Sequence, residues 1–183
     1  GGSFSGTYDG QEHTIDGLTY FSDEDENDTY IGLFAITAGA SIRNVGLTNV
    51  NVSGDDYVGG LAGYGQEGTS IHNCHVTGAV RGQRFYTGGL VGRLDNSATS
   101  HSSADITVNG YQSVGGLIGS SNTSEVRSSY SIGHVAASNS YSYVGGLVGA
   151  ANGYGLISDC YSHADVQGDQ YVAGLVGNLR LSD

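Results

Sequence analysis

Five carboxylates crowd into the stretch Ser22 to Asp28, SDEDEND: Asp23, Glu24, Asp25, Glu26 and Asp28. A hard cation such as calcium takes roughly six to eight oxygen ligands, and this run is the densest source of them in the chain. It also reads as a solvated acidic loop, because like charges repel and it lacks the glycine of an ordered calcium loop. The six histidines, His13, His72, His75, His101, His134 and His163, fall at different offsets of the pattern described below and make no metal-ligand spacing. There is no HExxH, and no serine sits where a strand-to-helix elbow would activate it. Acid catalysis on a polysaccharide needs two or more carboxylates within roughly 5 to 10 Å. The pattern brings only His134 and Asp165 together, and one exposed His/Asp pair is a surface contact rather than a catalytic constellation. Tyrosines are more suggestive: Tyr57, Tyr86, Tyr143 and Tyr171 share one column broken by Ser113, and Tyr130 and Tyr161 begin another. Stacked phenols hold sugar rings or a partner surface, and they equally serve as ladder packing.

Those columns exist because the chain repeats. YVGGLAG at Tyr57 returns as YTGGLVG at Tyr86, SVGGLIG at Ser113, YVGGLVG at Tyr143 and YVAGLVG at Tyr171, with a shortened YIGLFA at Tyr30. Leu33, Leu61, Leu90, Leu117, Leu147 and Leu175 lie 28, 29, 27, 30 and 28 residues apart. A fixed period of this size marks one supersecondary unit repeated about six times.

The second half of each repeat alternates with period two. Aligning Cys74, Ser102, Ser129 and Cys160 gives the sets Cys74, Val76, Gly78, Val80; Ser102, Ala104, Ile106, Val108; Ser129, Ser131, Gly133, Val135; and Cys160, Ser162, Ala164, Val166. These small and apolar sets are expected to face inward, with the polar residues between them facing solvent. The copy at Val45 to Val52 carries one extra residue. Each repeat then reads as a glycine-rich first strand, an apolar bend residue (Ile71, Val126, Ile157) and an alternating second strand. This fits one coil of a right-handed parallel β-solenoid, with coils stacked at about 4.8 Å into a rod on the order of 30 Å tall. Helices are excluded by glycine inside every element, at about 1 kcal/mol each relative to alanine.

The pairing of GGLVG with a following I-x-N-C-x-x-x-G-x-V-x-G, at Ile71 to Gly82 and more loosely at Ile157 to Gly168, resembles the GLUG-motif repeats of large, adhesin-like microbial surface proteins. Gly6 to Gly10 and His13 to Leu18 are similar to the coil that commonly precedes such repeats. The sequence departs from the pattern at Thr99 to Ser102, where TSHS replaces I-x-N-C. The resemblance implies a β-solenoid, found in adhesin-like proteins and in accessory regions of some secreted peptidases. Without HExxH, no peptidase residue carries over.

Composition narrows the classes further. The net charge is -12, with 18 acidic residues against six arginines and no lysine. No basic patch exists to release counterions from phosphate, so nucleic acid is not an expected partner. An acidic, lysine-free surface suits high salt, where screening removes self-repulsion. No apolar run of about 18 residues is present to insert in a membrane. The chain starts at Gly1 and reads as a mature product or excised segment, and sequons at Asn27, Asn51 and Asn122 fit a secreted or cell-surface protein. The expectation is a single solenoid domain over 1–183: a first coil and acidic loop at 1–29, then GLUG-like repeats at 30–183. It would serve as a non-catalytic structural or adhesive module, binding other protein subunits or surface matrix, glycans among them. The alternatives are a filament or matrix subunit associating head to tail through solenoid ends, and an accessory region of a larger secreted enzyme. Cys74 and Cys160 share a column three coils apart, about 14 Å, too far for a disulfide that spans about 4.4 to 6.8 Å between Cα atoms.

Overall fold

The computed structural model describes residues 2–22 and 28–180. Asp23 to Glu26 therefore lie outside the described residues, and of the candidate calcium ligands only Asp28 is placed. Among the described residues every regular element is a strand, and every strand pairing is parallel. Three sheets wrap one core. The first face stacks Thr29–Ile31, Asp56–Gly59, Thr87–Gly88, Ser113–Gly115, Tyr143–Gly145 and Val172–Ala173. The second stacks Phe34–Ala38, Ala62–Gln66, Val91–Asp95, Ile118–Asn122, Val148–Asn152 and Val176–Arg180. The third, an 11-stranded sheet, runs from Ser41–Gly54 and Ser70–Gly82 through Ser103–Gly110 and Tyr130–Ala137 to Tyr161–Gln167.

The chain is thus a β-solenoid of about six turns. The glycine-rich stretch expected as one strand is two, folded against each other at the Gly-Leu pair. Faces one and two approach backbone to backbone there. A Cβ at Gly92, Gly119, Gly149 or Gly177 would lie 2.6 Å from backbone atoms of the preceding coil. That contact explains why the last glycine of each GGLVG recurs. Between these glycines, Leu61, Leu90, Leu117 and Leu147 fill the interior with no exposed surface.

The third face carries the predicted alternation. Asp105 pairs with Thr77 and Ile132, and Ile132 with His163, which puts Cys74, Ser102, Ser129 and Cys160 in one column. Cys74, Val76, Ala104, Val108, Ser131 and Val135 are buried. Two of the expected inward positions are different. Gly78 is exposed and Gly133 half-buried, with φ of +127° and +111°. An added Cβ at either would strike the carbonyl of its neighbour, Val50 or Ile106. Those glycines mark a local twist of the strand rather than core filling. The extra residue of the first copy appears as a bulge between Leu47 and Val50, where Asn49 takes a φ of +54°. Ile71 and Val126 sit in strands with their side chains buried, rather than at bends.

Serine in the cysteine column does more than fill space. Ser102 Oγ accepts the Cys74 N–H at 3.1 Å, and Ser129 Oγ accepts the Ser102 N–H at 3.2 Å, tying coil to coil where the strands part. Their hydroxyls donate in turn to the carbonyls of Ser100 and Arg127. The cysteines are both free thiols.

Candidate functional site

At the start of the first face four coils place a tyrosine in a left-handed conformation. Tyr30, Tyr57, Tyr86 and Tyr171 have φ of +64°, +55°, +54° and +49°. Bulky side chains rarely adopt that conformation, so something must hold it. Ring stacking along the rod supplies part of the answer: Tyr30 and Tyr57 lie 4.7 Å apart at 20°, and Tyr57 and Tyr86 5.1 Å apart at 46°. On the next face Tyr64 packs against both lower rings, 6.2 Å from Tyr30 and 5.6 Å from Tyr57.

Arg93, one coil above Tyr64 in the same column, lays its guanidinium 5.0 Å from the Tyr86 ring centre and 5.8 Å from that of Tyr64. Asp95 then gathers the cluster. Its carboxylate accepts the Tyr64 hydroxyl at 2.7 Å, Arg93 Nε at 2.9 Å and the Asn122 amide at 2.9 Å. The Asn152 amide continues the ladder into Asn122 at 2.8 Å. Burial, followed by the hydrogen bond to Asp95, pushes the Tyr64 phenol up to about 12. Asp95 thus accepts from Tyr64, Arg93 and Asn122, which sit on three successive coils, so this cluster clamps those coils together. The tyrosine faces are spent on one another, which is the ladder role. Sequence reasoning missed Tyr64, Arg93 and Asp95, although the one-coil spacing of Tyr64 and Arg93 carries the signal.

His134 and Asp165 are register partners on adjacent coils, as expected, but no ion pair joins them. Among the described residues no group of three or more His, Cys, Asp or Glu side chains is arranged to hold a metal ion. Asp28 is half-buried, and its backbone carbonyl accepts the Asp55 N–H at 2.9 Å.

The two ends of the rod differ. At the N-terminal end Phe4 and Tyr8 pack on Phe34, with ring centres 5.0 and 5.6 Å away, and Phe4 exchanges backbone hydrogen bonds with Ile36 and Ala38. At the C-terminal end Leu175 and Leu179 are 38% and 66% exposed. They border an apolar cavity of about 360 Å³ that Leu156, Ile157 and Val176 also line.

A sequence model described as the GLUG motif matches residues 54–81 and 140–167. The chain carries the GLUG repeat. It is 34% identical over 160 residues to an immunoglobulin A1 protease of Streptococcus pneumoniae, covering 80% of this chain and 8% of that protein. It is also 34% identical over 166 residues to halomucin of Haloquadratum walsbyi, covering 86% of this chain and 2% of that protein. A crystal structure of a candidate immunoglobulin A1 protease from Bacteroides ovatus superposes with a TM-score of 0.70 at 22% identity, over 89% of this chain and 52% of that one. That likeness bears on the fold. The GLUG solenoid therefore corresponds to a small part, 2 to 8%, of the large proteins it matches over most of its length.

Proposed function

We propose that this GLUG solenoid is a non-catalytic structural and adhesive module of a larger extracellular protein, and that its C-terminal coil seats another structural element. The difference between the two ends carries the reading. Among the described residues, one end is covered by aromatic rings, while the other presents regular strands without a further pairing partner, exposed leucines and an apolar cavity. The small share of each relative that the repeat region makes up supports an accessory role, including one beside a secreted protease. The acidic, lysine-free balance supports work in high salt at a cell surface or in the medium.

A filament built head to tail is the rival reading, and the N-terminal coil speaks against it. Its strands, Thr7–Asp9, Thr14–Asp16 and Thr19–Tyr20, are short and separated by turns, including one at Gln11 and Glu12 with positive φ. Among the described residues they offer only short, interrupted edges for another copy's last coil to pair with. The test is light scattering and electron microscopy of the purified chain over a wide range of concentration and salt. The expected result is limited, reversible association through the leucine end, abolished by Leu179→Asp. Open-ended polymers would establish the filament instead, and a strictly monomeric chain at high concentration would remove the seating role.

A further inference from the structure

On the third face, the outward column near the end of each strand runs Ser53, Arg81, Asn109, Ala136, Gln167. It contains no carboxylate, in a chain with three acids for every base. A groove of about 500 Å³ lies along it, lined by residues of four successive coils, with Arg81, Gln83, Asn109, Ser138 and Gln167 as its polar side chains. Its floor is made of small residues, Gly110 and Ala136 among them. Three coil steps at about 4.8 Å give the groove a length of roughly 14 Å.

Arg81 is the informative residue. Arg43, Arg84, Arg93 and Arg127 each pair with a carboxylate, and Arg180 donates to the Tyr143 hydroxyl at 2.7 Å. Arg81 is exposed and has neither an ion pair nor a side-chain hydrogen bond among the described residues. A guanidinium left unpaired where acids are so abundant, over a groove without any, is placed for an anion from outside. The amides of Gln83, Asn109 and Gln167 each offer both donors and an acceptor, which suits vicinal hydroxyls. Aromatic rings follow within three residues along the chain. Phe85, Tyr111 and Tyr141, just past the groove residues Gln83, Gly110 and Ser138, are 40%, 43% and 69% exposed on three successive turns. Unlike Tyr30, Tyr57 and Tyr86, Tyr111 and Tyr141 stack on no neighbouring ring among the described residues.

We infer that this groove binds an extended oligosaccharide carrying carboxylate groups, an oligouronate in kind, with a carboxylate on Arg81, hydroxyls on the amides and ring faces against Tyr111 and Tyr141. A peptide would fit less well, since every strand beneath the groove except the last is paired on both sides and offers no edge for backbone pairing. The inference deepens the adhesive reading above by naming a ligand class, and it stands apart from the end-seating test because it is measured on dilute chain. Titration calorimetry would compare a tetragalacturonate with a neutral tetragalactoside, on the parent chain and on Arg81→Gln, Tyr111→Ala and Arg127→Gln. Arg127 is an exposed arginine paired with Glu125 away from the groove and serves as the control. The expected result is binding of the uronate only, weakened at least tenfold by Arg81→Gln, several-fold by Tyr111→Ala and not at all by Arg127→Gln. Equal binding of the neutral sugar, equal loss in Arg127→Gln, no binding at millimolar uronate, or equal binding of an acidic peptide would each overturn it.

Discussion

The second glycine of each GGLVG offers a controlled perturbation, because the same position is crowded in four coils and free in the last. A Cβ on Gly116 would run into the carbonyl oxygen of Gly146, one coil above, and lie 2.9 Å from Ser131 Cβ. That carbonyl already accepts the Gly116 N–H at 3.1 Å and the Ser131 hydroxyl. Neither the ladder nor the serine can yield without opening the stack. Overpacking of one carbon costs about 1 to 3 kcal/mol, and weakening one of the two hydrogen bonds adds about 1 kcal/mol. Gly116→Ala should therefore destabilise by about 3 kcal/mol, lowering the melting temperature by roughly 6 to 12 °C for a chain of this size. At Gly174 a Cβ meets nothing within 4 Å. Gly174→Ala should be neutral or raise stability by up to about 1 kcal/mol, through the unfolded state. Circular dichroism melts and urea titrations of both variants decide the matter. Equal melting of the two would refute the claim that coil-to-coil crowding selects glycine. In a full-length protein whose solenoid seats an element on the last coil, Gly174→Ala should become as damaging as Gly116→Ala.

Three further outcomes are expected. Thr87 and Thr99 bury hydroxyls without partners in columns otherwise filled by Val58, Val114 and Val144, and by Ile42, Ile71 and Val126; each Thr→Val change should stabilise by about 1 kcal/mol in urea titration, and a loss of stability would mean the hydroxyls are satisfied. Burial pushes the Cys74 thiol up to about 11 and raises Cys160 as well, so alkylation near neutral pH should be slow at both and slower at fully buried Cys74; the denatured chain should take two equivalents of reagent without reduction, and a disulfide would contradict the coil count between them. Hydrogen bonds from Asn44, the Gln11 N–H and Arg43 hold the Asp9 carboxyl down at about 2, and those from Thr48 and Asn49 lower Asp16. Both folded values are depressed, so the stability they confer is full above the unfolded value near 3.8 and is lost as pH falls toward 2; hydrogen exchange should show Thr7 to Asp16 loosening over that window before the later coils, and unchanged protection down to pH 2 would refute the linkage.

What was legible in the sequence follows from period. Leucine spacing and the two-residue alternation located the coils and the third face, because a ladder of identical positions repeats its constraint at every step. Cys74 over Ser102 and Ser129 was readable for that reason, while the extra residue between Val45 and Val52 was visible without showing that it forms a bulge. The split of GGLVG into two faces was not readable, since glycine hides whether its backbone turns or continues. Gly78 and Gly133 were misassigned for the same cause: an alternating pattern takes a glycine's place in the period as its direction.

Function is harder to read because the side chains that carry it are those outside the period. Arg93 and Asp95 stand in columns of mixed residues with Tyr64, Ser120 and Asn122, so the one-coil spacing sets Arg93 over Tyr64 but does not show that Asp95 joins them. Arg81 is visible only as an absence, an exposed arginine that neither a carboxylate nor a side-chain hydrogen bond engages among the described residues. In a solenoid the interior columns are packed on every side, while an outward column is open on its solvent side. Specificity can therefore change one coil at a time without disturbing the stack. A binding groove on such a rod is expected where an outward column breaks the surrounding charge pattern, and the run from Arg81 to Gln167 is where this chain does so.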